Sequence, residues 1–310
     1  MMNDTKLEIG RQRDWVWRGW QIRYTYLRPQ QQEKQCNPPL ILLHGFGAAI
    51  AHWRYNLPIL SETHTVYALD LLGFGASYKA VARYGMDLWA EQVYQFWRTV
   101  VASPAILIGN SLGSLVSLTL AARYPDMVQG LILINLPDTQ SRSELLSPPL
   151  QKVISGIESL FTAPWLLRGL FPILRSRPVI RRWAKIAYPN DAALDEELVT
   201  ILTDPPQDDA AADAFVALVK SALHPQFAQA VKQLLPNLDI PILLLWGERD
   251  RMIPPHLAQS FVDLNPHLEL VMLPKLGHCP HDEDPEQFHQ VILPWLDQIA
   301  CNQLPVTDKE

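Results

Sequence analysis

The stretch from Ala105 to Arg123 constrains this chain more than any other. The apolar run Ala105 to Ile108 leads directly into Gly109-Asn110-Ser111-Leu112-Gly113, and the helical pattern of Leu112 to Arg123 then continues until Pro125 stops it. A short apolar run bounded by glycine reads as a strand buried on both faces. A strand that turns into a helix within one or two residues leaves no room for Cβ atoms beside the turn, which accounts for a glycine on either side of Ser111. The turn lifts the serine onto the edge of a sheet, at a helix N-terminus that favours developing negative charge. A buried serine in a tight turn is the plainer reading of the five residues alone; the strand before and the helix after favour a nucleophile.

Runs of the same kind recur at Leu40 to Leu43, Val66 to Leu72, Gly130 to Asn135, Ile242 to Trp246 and Leu268 to Leu273. Helical patterns at His52 to Leu60, Met86 to Val101 and Pro285 to Ile299 lie between or after them. The alternation predicts an α/β fold with a mostly parallel central sheet and right-handed crossovers. Trp15 to Leu27, turning at Arg18-Gly19, reads as an opening antiparallel hairpin. Roughly a hundred residues separate the strand ending at Asn135 from the one starting at Ile242, far beyond an ordinary connection. The expected division is therefore a core of residues 1–138 and 237–310 with a helical lid, 139–236, inserted between them.

A serine hydroxyl is a poor nucleophile until a base takes its proton, and in a fold of this order the acid and then the histidine follow the serine. Asp250, in Gly247-Glu248-Arg249-Asp250 just past a core strand, is the expected acid. Asp138 also follows a core strand and is its rival, with Glu248 a weaker one. His278, in Leu276-Gly277-His278 after the last strand, is the expected base, against His281 and His289. His44-Gly45-Phe46-Gly47 ends the first buried strand; its glycines let the Phe46 N–H, with that of Leu112, face an oxyanion, while His44 reads as a structural residue of the loop.

The segments His44 to Gly47, Asp70-Leu71-Leu72-Gly73-Phe74-Gly75, Gly109 to Gly113 and Gly247 to Asp250 resemble the α/β-hydrolase superfamily along nearly the whole chain. Within it, HGFGAAIAHWRYN from His44, DLLGFGAS from Asp70, GNSLG from Gly109 and GHCPHDEDP from Gly277 are similar to the chlorophyll dephytylase and pheophytinase group of plants and cyanobacteria. That group cleaves the phytyl ester of chlorophyll-type pigments. The resemblance implies that Ser111, Asp250 and His278 form the triad of a serine ester hydrolase that takes a hydrophobic ester and needs no cofactor. Dehalogenases and epoxide hydrolases of the same fold use a carboxylate where this chain has Ser111. Carbon–carbon hydrolases of ring-cleavage products also use serine, but tend to carry Trp after the histidine, where this chain has Cys279. A ligand-binding, non-catalytic member of the fold is the remaining alternative.

A formal net charge of −6 gives no basic footprint for nucleic acid. Cys36, Cys279 and Cys301 have neither metal-ligand nor disulfide-framework spacing, and Met1 to Arg13 lacks the apolar segment of a signal peptide, so an intracellular, soluble setting is expected. Within the lid, residues 159–190 hold Arg168, Arg175, Arg177, Arg181, Arg182 and Lys185 among large apolar side chains and no acid. Residues 191–213 carry Asp and Glu and no base. A basic, greasy segment predicts peripheral membrane contact through charge and insertion, unless its arginines pair with the acidic half.

Overall fold

The computed structural model describes residues 9–31, 37–138 and 163–301, for the last of which the side chain is left out. Its centre is one eight-stranded sheet in the order β1-β2-β4-β3-β5-β6-β7-β8. The strands are β1 (Arg13–Trp17), β2 (Trp20–Leu27), β3 (Leu40–Leu43), β4 (Val66–Leu69), β5 (Ala105–Asn110), β6 (Val128–Ile134), β7 (Ile242–Gly247) and β8 (Leu268–Leu273). The hairpin β1–β2 joins antiparallel to β4; every later pairing is parallel. The expected hairpin and core strands are all present. The strand expected to reach Leu72 ends at Leu69; beyond it the N–H groups of Leu71 and Leu72 go to the side chains of His44 and Gln92 instead of a strand ladder, and the chain then turns at Gly73, whose φ is +90°.

Side chains alternate across a strand, so each apolar run is divided between two cores. Ile41, Leu43, Leu107, Leu131, Leu133, Leu244 and Trp246 face one side. There α1 (Asn56–Leu60) is absent and α2 (Met86–Phe96), α3 (Leu112–Arg123) and, later in the chain, part of the helix His256–Val262 cover them. Leu40, Leu42, Ile106, Ile108, Ile132, Leu243 and Leu245 face the other side, under Trp53, Leu57 of α1 and Phe288, Ile292 and Leu296 of the closing helix Pro285–Cys301. Strands buried on both faces cannot alternate with polar residues, which is why they read as unbroken apolar runs. The helix expected over Met86 to Val101 is α-helical to Phe96 and widens into a π turn over Trp97–Val101.

Between β6 and β7 lie α4 (Pro164–Leu174), α5 (Arg177–Ala187), α6 (Glu196–Thr203), α7 (Ala211–Ala222) and the short α8 (Val231–Leu234). The first part of the expected lid, residues 139–162, is outside the described residues. Continuing the numbering, the helices after β7 are α9 (His256–Val262), α10 (Pro280–Glu283) and α11 (Pro285–Cys301). Among the described residues, no helix is long and apolar enough to cross a membrane.

The basic half of the insertion does pair with the acidic half. Arg168 bonds Asp213 at 2.5 Å, Arg177 and Arg181 share Glu196, and Lys185 lies 3.7 Å from Asp191. The positive charge expected to attract an anionic surface is thereby largely answered within the insertion. Trp165, Ile173 and Trp183 nevertheless remain exposed.

A buried polar cluster ties this insertion to the sheet. Tyr188, just past α5, donates to Asp282 Oδ2 at 2.7 Å and lies 2.5 Å from His52 Nε2. Arg54 donates to Asp282 Oδ1 at 2.6 Å and approaches Glu197 of α6 at 3.3 Å. Burial pushes the His52 imidazole down to about 3, with the Arg54 charge adding to the effect, so the ring is neutral and can donate from Nε2 to the tyrosine. Taking away one partner of a buried ion pair strands the other charge, at a cost of about 3–5 kcal/mol. Arg54→Met should therefore lower the stability measured by urea unfolding by about that amount. Arg54→Met combined with Asp282→Leu should recover a large part of the loss.

Candidate active site

The turn after β5 is built by close approach. A Cβ on Gly113 would stand 2.1 Å from the Leu43 carbonyl oxygen, and one on Gly109 would stand 2.4 Å from the Gly113 carbonyl carbon. Only glycine lets α3 start this close to β3 and β5. Ser111 lies between them at φ +52°, ψ −109°, a backbone state that non-glycine residues rarely adopt and that surrounding structure must hold. Its N–H is anchored on Ile134 O of β6 at 2.8 Å. The side chain opens on a cavity of about 360 Å³.

His278 faces the same cavity. Its Nδ1 lies 2.8 Å from Asp250 Oδ2, which leaves Nε2 as the ring nitrogen away from the acid. Among the described residues, Ser111 and His278 share the cavity without a hydrogen bond between them; such contacts are often loose until substrate binds. The His278 loop is pinned from two sides. Its N–H donates to Ala187 O at the end of α5, and its carbonyl accepts Asn110 Nδ2 at 3.0 Å. Asp250, in the turn after β7, is buried and has each carboxylate oxygen assigned. Oδ1 accepts the N–H groups of Met252 and Ile253 at 2.7 and 2.9 Å. Oδ2 takes the histidine and Asn135 Nδ2, the latter at 2.5 Å.

Asn135 escaped the sequence analysis. It directly follows β6 at φ +49°, fully buried, and its side chain reaches three groups of the site. Besides Asp250 it donates to Gly277 O at 3.2 Å and accepts from Gly247 N–H at 3.3 Å. A polar residue closing an apolar strand at the edge that carries Ser111 was the available signal. Asn110 is a second such residue, and its own place inside the serine motif hid its bond to the His278 loop.

The rival acids and bases stand elsewhere. Asp250 is the aspartate bonded to His278, whereas Asp138 is half-buried and Glu248 is exposed, and neither lines the cavity. His281 is buried against Trp53, with ring centroids 4.2 Å apart, and His289 bonds Asn56 Oδ1 from within α11. His44 is fully buried: its Nδ1 lies 2.7 Å from Gly45 O and its Nε2 accepts the Leu71 N–H. Burial pushes its imidazole down, which keeps it neutral and in that tautomer. It holds the loop and stands outside the cavity.

The backbone N–H groups of Phe46 and Leu112 are bonded to no other described residue. Leu112 is the first residue of α3, where helical geometry leaves the N–H without an internal partner. Both residues flank Ser111, Phe46 from the loop after β3 and Leu112 from the next position in the chain. Beyond these groups the wall is mostly apolar, with Phe74, Trp183, Leu202, Phe215 and Leu218 among its residues.

Known proteins share this architecture. The chain is similar to the dihydrolipoyllysine-residue acetyltransferase component of an acetoin cleaving system from Pseudomonas putida, with 28% identity over 83% of this chain and 63% of that protein. It is similar to the chloroplastic pheophytinase of Arabidopsis thaliana, with 26% identity over 88% of this chain and 65% of that one. It thus spans somewhat under two thirds of the length of both. Among solved structures, a bacterial membrane phospholipase A superposes with a TM-score of 0.72 and 26% identity, over 93% of this chain and 86% of that one. The model of the alpha/beta hydrolase family matches residues 40–291, from β3 into α11, and the chain belongs to that family.

Proposed function

We propose that this protein is a serine carboxylic-ester hydrolase in which Ser111 is the nucleophile, His278 the general base and Asp250 the acid that orients it. The observation that carries this reading is the bond between His278 Nδ1 and Asp250 Oδ2, made by a histidine that shares a cavity with a serine held at positive φ. In this reading Asp250 fixes the tautomer, so that Nε2 of the neutral ring is free to take the serine proton. Ser111 Oγ attacks the ester carbonyl, and the Phe46 and Leu112 N–H groups receive the oxyanion. Collapse of the tetrahedral intermediate expels the alcohol with the proton returned by His278, and water then releases the acid from Ser111 by the same steps.

The apolar wall favours a hydrophobic ester, and the phytyl ester of a chlorophyll-type pigment is the member of that class suggested by the resemblance of the motifs. The helices from α4 to α7 act as a lid, since Phe171, Ala184, Tyr188 and Leu218 supply one side of the cavity.

Ser111→Ala should abolish ester hydrolysis and labelling by a fluorophosphonate probe while leaving the unfolding midpoint unchanged. More than a tenth of wild-type turnover would remove Ser111 from the role. Asp250→Asn should lower kcat by about 10⁴-fold with little change in KM, because it would present the wrong tautomer to the serine. Asp138→Asn should leave kcat close to wild type. Chlorophyll a, pheophytin a and p-nitrophenyl esters of graded length, with products identified by mass, place the substrate within the class.

Exposed Trp165, Ile173 and Trp183 give the lid an apolar face for a bilayer, while Arg168, Arg177, Arg181 and Lys185 are occupied by ion pairs. Contact through that face is expected to depend on apolar insertion rather than lipid charge. Sedimentation with neutral and with anionic vesicles should then give equal bound fractions that hold as salt rises; a strong preference for anionic lipid would return the electrostatic account.

A further inference from the structure

Arg175 differs from its basic neighbours. Arg168, Arg177, Arg181 and Lys185 all end on carboxylates, Arg182 is exposed to solvent, and none of these lines the cavity that holds Ser111. Arg175 lines that cavity and ends on no carboxylate. Its guanidinium has a single hydrogen bond among the described residues, from one terminal nitrogen to Pro206 O at 3.3 Å, and lies 5.7 Å from the centre of the Phe171 ring. One of five N–H donors is thus engaged, and weakly.

The side chain is nonetheless placed with care. Its backbone N–H donates to Phe171 O at 2.9 Å, closing the end of α4, and its carbonyl accepts Gln207 Nε2 at 3.2 Å. Pro206 and Phe171, which the guanidinium touches, are themselves cavity wall.

The charge of the wall has one sign. Lys79 is the second cation lining it, nearly buried, with its ammonium spent on the carbonyl oxygens of Phe74, Gly75 and Ser77 at 3.3, 2.6 and 2.8 Å. Asp70 and Asp208 lie close enough to offset its charge, so Lys79 offers an anion no free donor and little net field. Among the described lining residues there is no Asp or Glu. Guanidinium donors left facing an apolar wall forgo part of their solvation, and an anion in that low-dielectric space is the partner that best restores it. The planar fork of arginine matches carboxylate and phosphate oxygens in pairs.

We infer that Arg175 is the anion anchor of this cavity, and that the ester cleaved at Ser111 carries a carboxylate or phosphate group besides its apolar chain. The second half rests on the reading of Ser111 as nucleophile; the first does not. It divides the hydrophobic esters into anionic members, which the site favours, and neutral ones such as a pigment phytyl ester.

Binding to the full chain carrying Ser111→Ala, by calorimetry, isolates the anchor from the chemistry. Dodecanoate and dodecyl phosphate should each bind at least about tenfold more tightly than dodecanol, and their ranking tells carboxylate from phosphate. Adding Arg175→Gln should erase the difference, and Arg175→Lys, which keeps charge but loses the fork, should retain part of it. Equal binding of acid and alcohol, or a preference that survives Arg175→Gln, overturns the anchor. With Ser111 in place, a p-nitrophenyl ester ending in a carboxylate should show a KM about tenfold below that of its neutral counterpart of equal length, a ratio lost in Arg175→Gln. Arg175-dependent anion binding with no hydrolysis of any ester would uphold the anchor and sink the nucleophile. Faster turnover of neutral pheophytin a than of every anionic ester would overturn the substrate class.

Discussion

The site depends on a contact with no room in it. The start of α3 comes so near β3 that a single methyl group on Gly113 would overlap the Leu43 carbonyl. That approach places Ser111 above the sheet edge and sets its backbone at positive φ. It also brings the first helical N–H, that of Leu112, beside the serine. A looser turn would lower the strain, but the hydroxyl and the N–H would then no longer be set by the same rigid element. The conformational cost at one residue is offset by β5 and β6, whose side chains are buried except for the half-buried Gln129 and whose ladder receives the Ser111 N–H directly.

Around that element, side-chain amides do the positioning. Asn110 and Asn135 each close a core strand, and each reaches the loop that carries His278. Asn135 also holds the second oxygen of Asp250. An amide serves here because it donates and accepts without adding charge, so a carboxylate can be gripped in a buried setting with no further ion to desolvate. The Asp250 carboxylate thus meets neutral donors and an imidazole. The other buried carboxylate beside the site, Asp282, meets Arg54 and serves to tie the insertion to the sheet.

Much of this frame is legible in the sequence because it rests on local rules. Apolar runs of strand length, glycines at close approaches and the order serine, aspartate, histidine are all written along the chain. The strand-to-helix context of Ser111 and the lone choice of Asp250 over Asp138 are different in kind: the first is local, the second needed the fold, since both aspartates follow core strands and only through-space geometry separates them. Asn135 was invisible for the same reason. Its three partners lie more than a hundred residues further along the chain. The charge pattern of the insertion shows how a correct count can mislead. The basic half and the acidic half are separate in sequence, but helices α4 to α7 fold one against the other, and their charges meet.

That folding leaves a residue of information the sequence alone does not hold. When charges segregate along a chain and then pair in space, a group that stays unpaired inside a cavity is the one to ask about. Surface ion pairs such as Arg177 with Glu196 contribute little energy each, but they occupy donors and keep side chains on the outer face. Arg175 sits where α4 ends and the chain bends into α5, and its side chain lines the cavity among Phe171, Leu174 and Pro206, where it meets a backbone carbonyl and no carboxylate. A half-buried cation placed there gives up part of its solvation, and no carboxylate of the described wall offsets that loss. Its presence is therefore an argument about what enters the cavity, in the same way that the strain at Ser111 is an argument about what happens there.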